Sequence, residues 1–328
     1  MPTSFIIGLS LGFVFQRSQF CFYSGFSALF RGEFKFITAL LAAIFIQSIA
    51  IFTLADFRLL AVPSSDFSAL SVVLGAAIFG FGMALAKTCA SGAFFRIGEG
   101  SLAALITAIF FILGVIASTS GLIFSLLKPL FKHAQISGNL SDILGVSPWV
   151  LVGVLGISLA FSLWLTRVEF ERARWDKFKL SHLRYYALPL LAGGVVVGVL
   201  AVWAWLDSFS VGRYFGFSFS LPSANLLEFV LTAQHRYLNW GSLFVLGVPI
   251  GAFISARLSG EFCLHAGESG ELWQRIVGGL AMGVGAGLAG GCNVANALIA
   301  PAYFGTAAIM ATPITIIAFY FSKRIFKI

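Results

Sequence analysis

Three of the four cysteines in this chain, Cys21, Cys89 and Cys292, stand where an apolar run stops at polar or glycine residues. In Gly287-Leu288-Ala289-Gly290-Gly291-Cys292-Asn293-Val294-Ala295-Asn296 a glycine-dense helix, 278–289, meets a double glycine and then a thiol. Upstream, 74–86 leads into Lys87-Thr88-Cys89-Ala90-Ser91-Gly92, and 5–15 leads into Gln16-Arg17-Ser18-Gln19-Phe20-Cys21. A thiol can act as a nucleophile, a metal ligand or a weak S–H donor. No C-x-x-C pair or zinc-type spacing joins these cysteines, and the chain has only four methionines, which speaks against a soft-metal permease. No histidine is close in sequence to the three thiols; His265 neighbours only Cys263. A membrane sulfurtransferase that forms a cysteine persulfide would need a strongly activated thiol, and its alternative place is kept on those terms.

The charges beside the thiols favour an anion. Arg17 precedes Cys21, Lys87 and Arg96 flank Cys89, and no acid lies near Cys292 in either direction. Ser91 and Asn293 supply hydrogen-bond donors next to two of the thiols. A thiolate would repel an anion, so the useful form is a neutral S–H, and its soft sulfur suits a sulfur-bearing anion better than sulfate. Two readings of Arg17, Lys87 and Arg96 stay open: contacts to the anion, or ion pairs (Arg96 with Glu99) and headgroup contacts. Cys263 reads as a small buried hydrophobe outside the pathway. Gly80, Gly82, Gly283 and Gly287 read as helix-packing residues.

The elements that must hold these residues are membrane helices. Of 328 residues 59% are hydrophobic and only 10% charged, with a mean hydropathy of +0.96. About 25% charge is usual for a soluble domain, so this chain cannot cover a water-facing surface. Ten-residue blocks of alternating polarity are missing, which leaves helices rather than a β-barrel to satisfy the backbone. The first segment lacks a basic n-region and a cleavage site and reads as a retained helix. Apolar runs at about 5–15, 36–55, 69–86, 102–126, 148–165, 185–206, 241–256, 276–289 and 302–321 give nine spans.

Arg167, Arg172, Arg174, Lys177, Lys179 and Arg184 crowd one linker, which the positive-inside rule assigns to the cytoplasm. The net charge of +8 is thus topogenic rather than a nucleic-acid footprint. Counting outward puts the N-terminus outside and the C-terminus in the cytoplasm; Lys323, Arg324 and Lys327 agree, whereas Lys128, Lys132 and His133 run against it. The helix before Cys89 then runs inward and the helix before Cys292 outward, as in an inverted repeat with a midplane site. The nearest sequence counterpart of the Cys21 stretch is 251–263, which runs in the same direction as the first helix. The expectation is an all-α polytopic membrane protein of about nine transmembrane helices, with re-entrant broken helices and a pseudo-inverted repeat. It divides into 1–166 (first repeat), 167–184 (basic cytoplasmic linker) and 185–328 (second repeat). A helix that breaks inside a membrane exposes backbone groups that must be buried or line a cavity, and the helix that resumes presents free N–H groups to an anion.

Several stretches resemble the YeeE/YedE family of inner-membrane proteins. They are Gly12-Phe13-Val14-Phe15-Gln16-Arg17-Ser18-Gln19-Phe20-Cys21-Phe22, Cys89-Ala90-Ser91-Gly92-Ala93-Phe94-Phe95-Arg96-Ile97-Gly98-Glu99-Gly100, Gly212-Arg213-Tyr214, Ser259-Gly260-Glu261-Phe262 and Leu288-Ala289-Gly290-Gly291-Cys292-Asn293. The resemblance implies a nine-span bundle in the bacterial inner membrane whose short loops dip to the centre. It implies thiosulfate import past Cys21, Cys89 and Cys292, with related sulfur or selenium compounds as variants, and no enzymatic step. It also implies a small soluble sulfurtransferase partner that takes the sulfur for cysteine synthesis. No cofactor or ATPase motif is expected. Relatives usually read Ala-Gly-Gly-Cys where this chain has Ala86-Lys87-Thr88-Cys89. Past Cys292 the usual Gly/Ser-rich run is replaced by Ala300-Pro301-Ala302-Tyr303-Phe304-Gly305.

Overall fold

The computed structural model describes residues 2–64, 67–121, 124–125, 135–166, 188–266 and 271–326. Its helices are α1 (Pro2–Ser18), α2 (Phe22–Leu29), α3 (Lys35–Asp56), α4 (Ala69–Leu85), α5 (Ala90–Gly98) and α6 (Leu102–Thr119). There follow α7 (Leu140–Leu144), α8 (Pro148–Thr166), α9 (Leu190–Ser210), α10 (Ser220–Thr232), α11 (Trp240–Ser259), α12 (Leu272–Leu288) and α13 (Thr306–Phe326). A π-helical turn, Ala295–Ile299, and a 3-10 turn, Ala300–Tyr303, lie between α12 and α13. The strand content among the described residues is one two-residue antiparallel pair, Phe67–Ser68 with Gln135–Ile136.

Eight segments are long and apolar enough to cross a membrane, with α1–α2 and α4–α5 each forming one broken span. The 17-residue α12 lies alongside α4 and α6 and is the ninth apolar helix of the described residues. The basic linker 167–184, the start of the sixth span at 185, and Lys128, Lys132, His133 and Lys327 lie outside the described residues.

Close glycine contacts fix how the helices run. Gly8 and Gly12 of α1 press on the backbone of Phe244 and Val248 of α11, so these two helices are parallel. Gly194 and Gly198 of α9 meet Ala39 and Ala43 of α3, again in parallel. Gly279, Gly283 and Gly287 of α12 face Thr107, Phe111 and Ser118 of α6, a third parallel pair. The fourth is α4 with α13, where the Ala76 carbonyl accepts from Thr315 and Gly80 meets Phe319. By contrast, Gly75 sits against Leu288 and Ala289 while Gly82 sits against Gly278 and Met282, so α4 and α12 are antiparallel. Lipid tails give apolar side chains no reason to leave them, so dispersion at these close backbone approaches is what joins the helices.

The pairs exchange under one swap: α1 with α9, α3 with α11, α4 with α12 and α6 with α13. That swap converts α1·α11 into α9·α3 and α12·α6 into α4·α13, and it reverses each helix's direction. It also pairs α2 with α10, and α5 with the π and 3-10 turns. The stretch 251–263 is therefore the packing partner of the Cys21 helix and not its counterpart; that position belongs to 211–219, between α9 and α10. Gly8 and Gly12 on one helix and Gly247 and Gly251 on the other let the two backbones approach closely. α8 has no partner in the swap. It packs on α3, joined by the Thr38–Ser162 hydroxyl pair at 2.7 Å, and exposes Ile157 and Trp164.

The two ends of the bundle differ in charge. One gathers Arg17, Arg31, Lys35, Lys87, Arg96, Arg257, Arg275, Lys323 and Arg324 with Glu33, Glu99, Glu261 and Glu271. The other has Arg58, Arg213 and Arg236 with Asp56, Asp142, Asp207 and Glu228.

Candidate functional site

Cys21, Cys89 and Cys292 each follow the same local backbone device. Two positions before each of them the chain enters the left-handed region, at Gln19 (φ 49°), Lys87 (φ 52°) and Gly290 (φ 75°). This bend ends the incoming helix and turns the next one inward; for a residue with a Cβ it costs about 1–2 kcal/mol. Cys21 and Cys89 are themselves extended (φ −126° and −100°) and cap α2 and α5. Glycine at 290 adopts this bend without that cost. In the fourth break, between α9 and α10, Gly212 makes the same excursion (φ 77°).

The device brings two thiols together. The Cys21 and Cys89 sulfurs are 3.7 Å apart, and both side chains are fully enclosed. The Cys89 sulfur also accepts the Gly92 N–H at 3.2 Å and lies 3.4 Å from the Ser91 hydroxyl. Gly92 is needed for space: a Cβ there would lie 3.0 Å from the Cys21 sulfur, 3.1 Å from the Cys89 sulfur and 2.8 Å from the Thr88 hydroxyl. The N-termini of α2 and α5 thus meet at the sulfur pair, which sets two positive helix ends there.

Cys292 is equally buried and shares the same apolar core, though no hydrogen bond links it to the other thiols among the described residues. Its neighbour Asn293 donates to the Met83 sulfur on α4 at 3.1 Å. Asn296 ties the break together, donating to the carbonyls of Ala289 and Gly291 while its own carbonyl accepts from Thr312. The π-helical turn that follows widens the backbone at a place where α5 is regular in the other half; such turns recur at functional sites. Cys263, expected to be buried, is exposed instead. It lies beyond the left-handed C-cap Gly260, in an exposed segment that pairs with Glu99 and Gly100 at the basic end.

The basic residues divide into two kinds. Lys87 pairs with Glu271, which also holds Arg275 at 3.3 Å, and Arg275 donates to the Ala86 carbonyl as well. Glu271 is kept below the usual carboxylate range, first by the Lys87 hydrogen bond. Lys87 is therefore neutralised by an ion pair. Arg96 has no carboxylate within 4 Å among the described residues, so the Arg96–Glu99 bridge is not formed. Arg17 is buried, and its Nη2 has no hydrogen-bond partner among the described residues. A buried or half-buried guanidinium without a counterion is costly unless an anion comes to it.

Arg275, Glu271 and Met83 belong to this centre and carry no local sequence signal that groups them with the thiols. Glu271 and Arg275 form an i,i+4 pair at a helix start, which reads as ordinary helix stabilisation until the fold sets it beside Lys87.

A profile described as sulphur transport matches residues 17–321. The chain is 33% identical over 303 residues to the thiosulfate transporter TsuA of Escherichia coli (strain K12), covering 90% of this chain and 85% of that protein. It is 29% identical over 313 residues to the thiosulfate transporter TsuA of Spirochaeta thermophila, covering 90% of each. A probable transporter, YedE, of Salmonella typhimurium is 29% identical over 98 residues, 30% of this chain and 24% of that protein.

Proposed function

The chain belongs to the sulphur transport family, and on that premise we propose that it takes thiosulfate or a closely related sulfur anion into the cytoplasm past its buried thiols. The observation that carries this reading is the enclosed Cys21–Cys89 contact at two converging helix N-termini. Neutral thiols there offer S–H donors and polarizable surface to a soft anion without fixing it as a strong cation would. The anion passes between the thiol pair and Cys292, with Ser91 and Asn293 assisting and Arg17 and Arg96 supplying attraction. Lys87 acts through its ion pair with Glu271, by holding the bend before Cys89. Nothing in this path requires a covalent step.

Orientation follows from charge. The end that gathers Arg31, Lys35, Arg257, Lys323 and Arg324 is the cytoplasmic one by the positive-inside rule, which puts the N-terminus outside and the C-terminus within. The membrane is the bacterial inner membrane, and the halves 1–166 and 185–328 serve as inverted repeats around the thiols. Moving a dianion inward against a negative interior costs about 2.3 kcal/mol per charge per 100 mV. A cytoplasmic sulfurtransferase that consumes the anion would hold its concentration low and help draw it inward.

The test is uptake of radiolabelled thiosulfate into cells lacking other routes, with Cys21→Ala, Cys89→Ala and Cys292→Ala at matched membrane levels. Loss of uptake in each supports the path; normal uptake in the Cys89→Ala, Cys292→Ala double variant rules it out. Competition by sulfate and selenium compounds defines the substrate range.

A further inference from the structure

A cavity of about 200 Å³ opens at the basic end between α5, α6 and the start of α12. Thr88, Arg96, Glu99, Ser101, His265 and Arg275 supply its polar wall. It adjoins the thiol pair without including it, since Thr88 immediately precedes Cys89. Arg96 and Arg275 come from different helices, α5 and α12. Arg96 has no carboxylate partner, whereas Arg275 is already shared with Glu271. The cavity therefore holds one uncompensated guanidinium, one partly compensated guanidinium and two hydroxyls. A planar guanidinium with its fork of N–H donors suits the edge of a tetrahedral oxyanion.

One group in the wall opposes an anion. Glu99 faces this space and accepts from Gln19 at 2.9 Å, but it bridges to neither arginine. Its carboxylate competes for the same positive field.

We propose that this chamber is a second anion site, separate from the thiols, that takes a small tetrahedral dianion such as thiosulfate or sulfate on Arg96 and Arg275 against the resistance of Glu99. As the last station before release it deepens the transport reading and rests on it; as a binding site it does not. Its wall holds no sulfur donor, so it should not favour thiosulfate over sulfate, unlike the thiol pair. Sulfate is therefore the probe that isolates it.

The experiment is calorimetric titration of sulfate into the purified full-length protein in lipid nanodiscs at fixed ionic strength. Wild type and the Cys21→Ala, Cys89→Ala double variant should bind within threefold of one another. Arg96→Gln should bind at least tenfold more weakly, and Glu99→Gln about threefold more tightly. If Arg96→Gln lowers the melting temperature, Arg96→Lys decides: binding within tenfold of wild type supports the site, and loss to the Arg96→Gln level overturns it. Unchanged sulfate binding in a well-folded Arg96→Gln protein also overturns it. Binding that disappears with the thiols but survives Arg96→Gln overturns it while leaving the transport reading intact. Arg96-dependent binding in a protein that imports no thiosulfate would sink the transport reading alone.

Discussion

Cys21 and Cys89 lie 68 positions apart in the chain, yet their sulfurs stand 3.7 Å apart with neither exposed to solvent. The contact depends on two bends and one glycine, and each can be tested separately.

Gly92→Ala should damage transport more than folding. The added methyl would meet both sulfurs and the Thr88 hydroxyl at or below about 3 Å. Something must shift, at a cost of about 1–3 kcal/mol for an overpacked site. Thiosulfate uptake should fall at least tenfold while the protein still reaches the membrane and elutes as wild type. Uptake within twofold of wild type would show that the thiol spacing is not critical.

A small membrane-permeant thiol oxidant such as diamide should link Cys21 to Cys89, with diamide reduced to its hydrazine as the two thiols lose their hydrogens. Uptake should stop and return on treatment with reductant. Peptide mass spectrometry should find the Cys21–Cys89 link and none from Cys263, which is exposed at the basic end. In the Cys89→Ser protein the oxidant should give no link from Cys21.

Glu271→Gln removes the partner that Lys87 and Arg275 share. The pair is partly exposed, with side chains about a quarter to a third accessible, so the loss should be about 1 kcal/mol. The Glu271 carboxyl is held below its ordinary value in the folded protein. Its contribution is therefore present above the ordinary carboxylate pKa and disappears as pH falls through the lowered value. Melting curves across the acid range should show wild type converging on Glu271→Gln at the low end.

Glu99 has the opposite sign. Burial raises its carboxyl, against the Gln19 hydrogen bond and the Arg96 charge. It takes up a proton at a pH where an exposed glutamate is still charged, and its competition for Arg96 and Arg275 ends there. The groups facing it are Gln16, Gln19, Arg96, Glu261, His265 and Arg275. Sulfate affinity should rise as pH is lowered through that range, and the part due to Glu99 should be missing in Glu99→Gln. An identical pH profile in both proteins would remove Glu99 from the chamber.

Much of the architecture was legible because membrane spans announce themselves by length and apolarity. The stops at Cys21, Cys89 and Cys292 were equally visible, since polar residues interrupt runs that lipid would otherwise keep apolar. The antiparallel relation of the helices before Cys89 and Cys292 also followed from span order, and the contacts of Gly75 and Gly82 carry it in space. What sequence could not supply was pairing between distant segments. The stretch 251–263 resembles the Cys21 stretch in sequence, yet its helix packs directly beside α1. Arg275 lies far from Cys21 and Cys89 in sequence, and only the start of α12 beside α4 brings it to Ala86. Cys263 reads as a buried hydrophobe in sequence, but the Gly260 bend sets it on the exposed surface beside Glu99.

The left-handed residue two places before each thiol has one more consequence. Gln19, Lys87 and Gly290 hold the same backbone bend while presenting an amide, a cation and no side chain at all. The position of each sulfur is thus set by the peptide chain, and the chemistry next to it is free to vary. Substitutions at these three sites could retune which ion is admitted, through local charge and bulk, without redrawing the route that it follows.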